Sequence, residues 1–114
     1  MIEENCEAFV SDCHVRAAVE LISHAWDPVV LSALRLGPTR RTDLLHRIAG
    51  VSDKVLTESL RRLSFRGLVT KTMNARRDSV VYELTTLGAS FAAGPLAHMA
   101  EWAAENQAEL SATS

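Results

Sequence analysis

The sequence predicts a mainly helical fold class with one small β-hairpin, and three observations support this prediction. Two segments with helical spacing of apolar residues, about 42–49 and 52–66, are joined by a very short link. Two β-rich runs, 68–73 and 80–84, follow directly and enclose a polar, basic segment. Helical spacing then returns from about 86 to 110. The 114 residues suit one domain, 1–114, because they can bury a single modest core.

Start and stop signals define the helices that precede the short link. The segment 14–23 has helical spacing of apolar residues. Asp27 followed by Pro28 is typical of a helix start, with an N-cap acceptor and then proline at the first helical position. We therefore expect a mostly buried helix from about 28 to 36 that closes at Gly37.

The two helices around the short link have caps of their own. We expect Thr42 to cap the first helix and Gly50 to stop it. Ser52 is expected to cap the second helix, which Gly67 ends. The second helix is amphipathic, and its predicted inner face consists of Leu56, Ser59, Leu60 and Leu63. Two helices joined in this way predict a helix-turn-helix over about 42–66.

The two β-rich runs predict a hairpin whose polar tip, 74–79, is exposed. A hairpin directly after the second helix of a helix-turn-helix is a wing, predicted here over about 68–84. The C-terminal helix over about 86–110 is expected to be kinked or interrupted at Gly94-Pro95, because proline cannot donate a helical hydrogen bond. The predicted fold is therefore a winged helix-turn-helix with additional N- and C-terminal helices.

Charge is concentrated in the middle of the chain, although the net charge is only −2. Residues 40–77 contain ten of the twelve Lys and Arg side chains and three of the fourteen carboxylates, a net charge of +7 against −9 for the remainder. This asymmetry favours a middle that binds a polyanion, the alternative being that these charges form solvated helix faces. Together with the helix-turn-helix, it predicts double-stranded DNA as the partner.

The outer face of the second helix carries hydrogen-bonding side chains that can reach base edges in a major groove. The residues predicted to contact base edges are Lys54, Thr57, Glu58 and Arg61. Phosphate contacts are predicted for Arg40, Arg41 and Arg62, and for the helix N-terminus beside Ser52. Arg76 and Arg77 are predicted to contact the minor groove or its phosphates. The alternative for Glu58 is an ion pair on the helix surface with Arg61 or Arg62.

Several other function classes are disfavoured. No apolar run approaches the roughly 20 residues that cross a membrane, and the acidic start Met1-Ile2-Glu3-Glu4 is unlike a signal peptide. We therefore expect a cytoplasmic protein with reduced thiols. The Cys and His residues lack paired metal-ligand spacing, so neither a metal nor a cofactor is predicted. The sequence contains no phosphate loop or nucleophile motif, so an enzyme is not expected.

Short motifs occur in a specific order between residues 13 and 102. They are Cys13, Ala18-Val19-Glu20-Leu21-Ile22, Trp26, Val30-Leu31, Leu36-Gly37-Pro38, Gly50-Val51-Ser52-Asp53-Lys54-Val55-Leu56-Thr57, Leu60 to Leu63, Gly67-Leu68-Val69, Val81-Tyr82-Glu83-Leu84-Thr85, Leu87-Gly88 and Trp102. With this order and spacing the chain resembles the HxlR family of bacterial winged-helix transcription regulators. The resemblance implies a homodimer that binds a palindromic operator. It also implies dimerisation through 14–23 and parts of 91–110.

The resemblance further implies a response to a signal. The family includes thiol sensors of electrophiles and oxidants, and Cys13 occupies the position of their cysteine, although His14 replaces the proline that usually follows. Cys6 is the candidate resolving partner. The alternative is a non-covalent small-molecule effector held near the dimer helices, in a pocket predicted from Trp26, Tyr82, Met99 and Trp102. A metal sensor is a weaker alternative, because the Cys and His residues lack metal-ligand spacing. A winged helix that contacts only proteins is also weaker, because it leaves the basic segment unexplained.

Overall fold

The predicted fold class is confirmed, because the structure is mainly helical with one antiparallel hairpin. In the computed structural model of the chain, the described backbone runs from residue 10 to residue 113 and the described side chains from 13 to 111. In chain order the elements are α1 (Val10–Ile22), α2 (Trp26–Ala33), a 3-10 turn (Leu34–Leu36), α3 (Arg41–Arg47), α4 (Asp53–Phe65), β1 (Val69–Met73), β2 (Val80–Leu84), α5 (Thr86–Phe91), a π-helical turn (Ala92–Leu96), α6 (Ala97–Glu105) and α7 (Gln107–Thr113).

The predicted N-cap of α2 is wrong. The helix begins at Trp26, and the residue at its N-cap, Ala25, makes no side-chain capping hydrogen bond. Asp27 lies in the first turn instead, and it is buried. An Asp-Pro pair gives the same local signal whether Asp caps a helix or lies inside its first turn. Here a buried hydrogen-bonding environment determines which of the two occurs.

The boundaries of α3 also differ from the prediction. Its N-cap is Arg40, so Thr42 is the second helical residue and not the cap. The helix ends at Arg47, before Gly50, which has a φ of +87° in the following turn. A helix of seven residues is too short to be stable by itself, so burial of Leu44 must stabilise it.

The predictions for α4 are confirmed at both ends and along its inner face. The N–H of Val55 donates a hydrogen bond of 3.1 Å to Ser52 Oγ, which caps the helix. Gly67 follows the helix with a φ of +79°, a left-handed conformation that glycine adopts without strain. The buried residues of the helix are Leu56, Ser59, Leu60 and Leu63. The opposite face of α4 is therefore directed outward.

The hairpin has the predicted strands, and an additional contact attaches it to the rest of the fold. In the antiparallel register of β1 and β2, Lys71 lies opposite Tyr82. Tyr82 also exchanges two backbone hydrogen bonds, of 2.8 and 2.9 Å, with Thr39. Thr39 belongs to the link between α2 and α3, so this link pairs with the outer edge of β2 through one antiparallel bridge. The sequence did not predict this pairing. The contact fixes the hairpin relative to the helix-turn-helix.

The start of α5 is held closely against the end of α4. Thr85 Oγ1 accepts a hydrogen bond of 3.0 Å from the Gly88 N–H and donates one of 2.7 Å to the Gly67 carbonyl. A Cβ on Gly88 would overlap the carbonyl oxygen of Leu68, so the close approach requires glycine. The C-terminal helices are therefore joined directly to the end of the helix that is predicted to read DNA.

The predicted irregularity at Gly94-Pro95 takes the form of a π-helical turn inside a continuous helical run. Pro95 lies in this turn, where a missing N–H donor can be accommodated. The helical run ends at Asn106, between α6 and α7, a break that the sequence does not predict. The C-terminal part of the chain is therefore one long irregular helix followed by a short one.

The core consists of aliphatic side chains that α2, α3, α4, the hairpin and the π-helical turn bury together. Its buried members are Val30, Leu31, Leu34, Leu44, Ile48, Leu56, Leu60, Leu63, Leu68, Val69, Ala92 and Leu96. Removing these side chains from water stabilises the fold but does not direct it, because the hydrophobic effect has no preferred geometry. Within residues 10–113, no helix combines the length and the apolar character that crossing a membrane requires.

Candidate nucleic-acid interface

A buried carboxylate connects the start of α2 to the middle of α4. Asp27 is 2% exposed, and Ser59 Oγ donates a hydrogen bond of 2.6 Å to its Oδ1. Arg62 donates from Nη2 to Oδ1 at 2.9 Å and from Nε to Oδ2 at 3.1 Å. Both carboxylate oxygens are therefore bonded, which compensates the cost of burying the charge. This triad sets the position of α4 along and around its own axis.

The triad also affects the titration of Arg62. The hydrogen bond with Asp27 raises the pKa of the Arg62 guanidinium above its already high ordinary value. The negative charges of Asp27 and Glu58 act in the same direction, whereas burial acts against them. A raised pKa of a cationic group contributes stability that is present below the unfolded-state pKa and is lost only as pH rises through the folded-state value. The contribution of Arg62 is therefore constant across physiological pH.

The outward face of α4 is accessible, and an arginine of α3 forms hydrogen bonds with side chains at its N-terminal end. Lys54, Glu58 and Arg61 are exposed along this face. Arg41, at the start of α3, donates from Nη1 to Asp53 Oδ1 at 2.6 Å and to Thr57 Oγ1 at 3.4 Å. The structure thus places Arg41 beside the outward face of α4, whereas Arg62 is bonded to buried Asp27.

A polar groove separates α4 from the hairpin. Its volume is about 450 Å³, and its lining includes Thr57 and Arg61 from the helix and Lys71 and Tyr82 from the strands. The Lys71 ammonium lies 6.0 Å from the centre of the Tyr82 ring, at the outer limit of a cation–π contact. The positive charges of helix and hairpin therefore face the same groove.

The tip of the hairpin is organised by one asparagine. The Asn74 side chain donates to Asp78 Oδ1 at 2.7 Å and to Ser79 Oγ at 2.8 Å, and it accepts from the Asp78 N–H at 3.2 Å. Arg77, inside this loop, has a φ of +62°. Arg76 and Arg77 are exposed at the tip. Side-chain hydrogen bonds therefore shape a tip that contains no proline.

Two further arginines of the basic segment have structural contacts that the sequence did not reveal. Arg47 donates from Nη1 to the Ala33 carbonyl at 3.1 Å and to Thr39 Oγ1 at 3.2 Å. Arg66 donates from Nη1 to the Glu20 carbonyl at 2.9 Å and so connects the end of α4 to α1. Their partners lie 8, 14 and 46 residues away in the chain, a separation at which no local pattern identifies a contact.

The remaining predicted site residues lie in different parts of the molecule. Cys13 is half-buried on α1, whereas Cys6 lies outside the described residues. Trp26 packs against the core, and Tyr82 lines the groove beside α4, to which none of Trp26, Met99 and Trp102 contributes. Met99 and Trp102 are exposed on α6. Among the described residues, no group of three His, Cys, Asp or Glu side chains is arranged to hold a metal ion.

A helix-turn-helix with an accessible outer face, followed by a hairpin with a basic tip, defines a winged helix-turn-helix protein of the DNA-binding transcription-regulator class. The family model described as "HxlR-like helix-turn-helix" matches residues 21–111. The chain belongs to this family, and the sequence resemblance is confirmed.

Individual relatives agree with this assignment. The HTH-type transcriptional regulator YtfH of Escherichia coli (strain K12) is 32% identical over 103 residues, which cover 90% of this chain and 81% of YtfH. The structure is similar to that of the transcriptional regulator ytfH from Salmonella typhimurium, with a TM-score of 0.71, 30% identity, and coverage of 87% of this chain and 88% of that one. It is also similar to the reduced form of the regulator YodB from B. subtilis, with a TM-score of 0.69, 27% identity, and coverage of 77% and 86%. YodB has also been solved in a quinone-bound form, with a TM-score of 0.67, 26% identity, and coverage of 81% and 96%.

Replacing Asp27 with Asn tests the triad. The substitution keeps the size of the side chain but leaves Arg62 without its charged acceptor, so we expect the free energy of unfolding to fall by roughly 2–4 kcal/mol. Urea unfolding followed by circular dichroism at one fixed protein concentration measures this loss. The matched control is Asp43→Asn, because Asp43 forms an exposed pair with Arg40 at 3.5 Å and should cost no more than about 0.5 kcal/mol. Equal losses in the two variants would contradict the role given to Asp27.

Proposed function

We propose that the protein regulates transcription as a homodimer that binds a palindromic operator in a sequence-specific manner. The observation that carries the proposal is the orientation of α4. The Asp27 triad and the core hold its inner face, which leaves Lys54, Glu58 and Arg61 exposed for a major groove. Sequence-specific recognition requires such a fixed helix, because base edges are read by hydrogen bonds of defined geometry.

The proposed contacts fall into two groups. Lys54, Thr57, Glu58 and Arg61 read base edges, because they lie on the outward face of α4. Phosphate contacts come from Arg40 and Arg41 beside α3, from the N-terminus of α4 next to Ser52, and from Arg76 and Arg77 at the hairpin tip. Arg62 contributes chiefly by positioning α4, because two of its nitrogens bind Asp27 and its side chain is 29% exposed.

The proposed dimer forms through α1 and the C-terminal helices. These helices leave large apolar side chains exposed, namely Val15, Val19, Met99, Trp102 and Leu110. Large apolar side chains exposed on helices near both ends of the described chain are what an interface between two chains would cover. A two-fold dimer places two copies of α4 about one turn of DNA apart, so its operator is an inverted repeat.

The response to a signal is proposed to occur at Cys13. Cys13 is a half-buried thiol on α1, one of the proposed dimer helices, and the similar regulator YodB is known in a quinone-bound form. The thiolate would add to a ring carbon of the quinone and form a C–S bond, with its proton released to solvent. The hydrogen on that carbon moves to one quinone oxygen and the other oxygen takes a proton from solvent, so the product is a thioether-linked hydroquinone. Cys6 is the proposed partner for a disulfide under oxidants. The alternative is a non-covalent effector near Trp26, Tyr82, Met99 or Trp102.

Lys54→Ala and Arg76→Ala are expected to weaken operator binding in different ways. Loss of a base contact costs about 1–3 kcal/mol on the operator and relaxes sequence preference, so Lys54→Ala should affect a scrambled duplex little. Loss of a phosphate contact weakens both duplexes alike and reduces the salt slope by about 1. Fluorescence anisotropy with both duplexes at several salt concentrations measures the difference. Arg35→Ala, an exposed arginine outside the basic segment, is the control and should bind normally. Normal operator binding by both test variants would refute the proposed interface.

Cys13→Ser separates the two proposed signals. Treatment with 1,4-benzoquinone is expected to add one ring to the wild-type chain, detected by mass spectrometry, and to reduce its operator affinity. Cys13→Ser should keep its affinity after the same treatment, because a hydroxyl is a far weaker nucleophile than a thiolate. Cys6→Ser is the control and should respond like the wild type to the quinone. If Cys13→Ser responds fully, the thiol switch is excluded and the non-covalent alternative is favoured.

A further inference from the structure

A small cavity lies where α1, the end of α4 and the C-terminal helices meet. Its volume is about 290 Å³, and most of its lining is apolar, with Leu21, Leu68, Leu87, Phe91 and Pro95. Ser90 and Arg66 complete the lining. It is separate from the groove beside the hairpin and from the residues proposed to contact DNA. A single cation among apolar walls is the arrangement expected for an amphiphilic anion.

The guanidinium of Arg66 has capacity for a further acceptor. Its Nη1 donates to the Glu20 carbonyl at 2.9 Å, and its Nη2 lies 3.6 Å from Glu20 Oε1. A guanidinium carries five N–H donors, and the longer of these contacts involves a carboxylate that is 72% exposed. An exposed ion pair of this length contributes little stability, so a ligand carboxylate can replace it at small cost.

We propose that this cavity binds a small apolar monoanion, such as a single-ring aromatic carboxylate, with its acid group on Arg66. The volume is at the lower limit of ligand pockets, which suits one ring and excludes larger ligands. The ring contacts Leu21, Leu87 and Phe91, and the carboxylate accepts N–H hydrogen bonds from the edge of the Arg66 guanidinium. Charge complementarity favours this occupant over a purely apolar segment of another chain.

The position of the cavity connects the ligand to the proposed function. Leu21 belongs to α1, Arg66 is the C-cap of α4, and Pro95 lies in the π-helical turn that leads to α6. A ligand that draws Arg66 away from Glu20 changes how α4 is joined to a proposed dimer helix. This consequence rests on the proposed function, whereas binding of the ligand itself does not.

Benzoate and its neutral analogue benzyl alcohol are the probes that test the site. We titrate each into the ¹⁵N-labelled full-length protein, in the absence of DNA, and follow amide shifts by NMR. Benzoate is expected to bind at least ~10-fold more tightly than benzyl alcohol, with saturable shifts around Leu21, Ser90 and Phe91, because a charge-assisted hydrogen bond adds to ring burial.

Three variants complete the test. Arg66→Gln is expected to abolish the ~10-fold preference for benzoate, and the control Arg35→Gln is expected to keep it. Ser90 is an exposed residue of the cavity lining, so Ser90→Phe adds a bulky side chain there. The variant should prevent binding of both probes and keep the contact of Arg66 with Glu20. A thermal melt of each variant confirms that it is folded.

Several outcomes would overturn the proposal. These are shifts that do not saturate, equal affinity for the two probes, binding that survives Ser90→Phe, or amides of the cavity that are protected in the dimer and inaccessible to benzoate. The last outcome would assign the cavity to a second copy of this chain. Operator affinity is measured with and without benzoate, so that the DNA-binding proposal and the ligand proposal are tested separately. If the protein binds its operator but does not bind benzoate, only the ligand proposal is overturned.

Discussion

The position of α4, the helix proposed to read DNA, depends on the hydrogen-bonded carboxylate of Asp27. The inner face of α4 is otherwise apolar, and leucine packing alone is compatible with small rotations and shifts of a helix. The three hydrogen bonds from Ser59 and Arg62 have defined lengths and directions and therefore select one arrangement. A buried carboxylate without these partners would be strongly destabilising, so the fold and the orientation of α4 are coupled.

The arginines of the basic segment divide into two groups with different roles. Four of them connect secondary-structure elements. Arg41 bonds Asp53 of α4, and Arg47 bonds the link before α3. Arg62 bonds Asp27, and Arg66 bonds Glu20. Arg40, Arg61, Arg76 and Arg77 are exposed on the side of α4 and the hairpin. The net charge of +7 over residues 40–77 therefore overstates the charge that remains available to a phosphate backbone.

Features determined by local chemistry could be predicted from the sequence, and features determined by distant partners could not. The Ser52 cap, the left-handed Gly67 and the strand boundaries depend on neighbouring residues, and the predictions agree with the structure to within one residue. The local pattern predicts Asp27 as a cap, because its partners lie 32 and 35 residues away and do not affect that pattern. The same reason explains why the contact of Thr39 with Tyr82 and the cavity beside Arg66 became apparent only in three dimensions.

Selection from a library of random DNA duplexes tests whether a two-fold dimer reads DNA through α4. After several rounds with the full-length protein, we expect enrichment of an inverted repeat whose half-sites are about 10 base pairs apart. Affinity for the selected duplex should fall steeply between 50 and 200 mM salt and exceed affinity for a scrambled duplex by roughly 10³-fold or more. Absence of an enriched repeat, together with DNA binding that is undetectable or independent of salt, would rule out this mode of recognition.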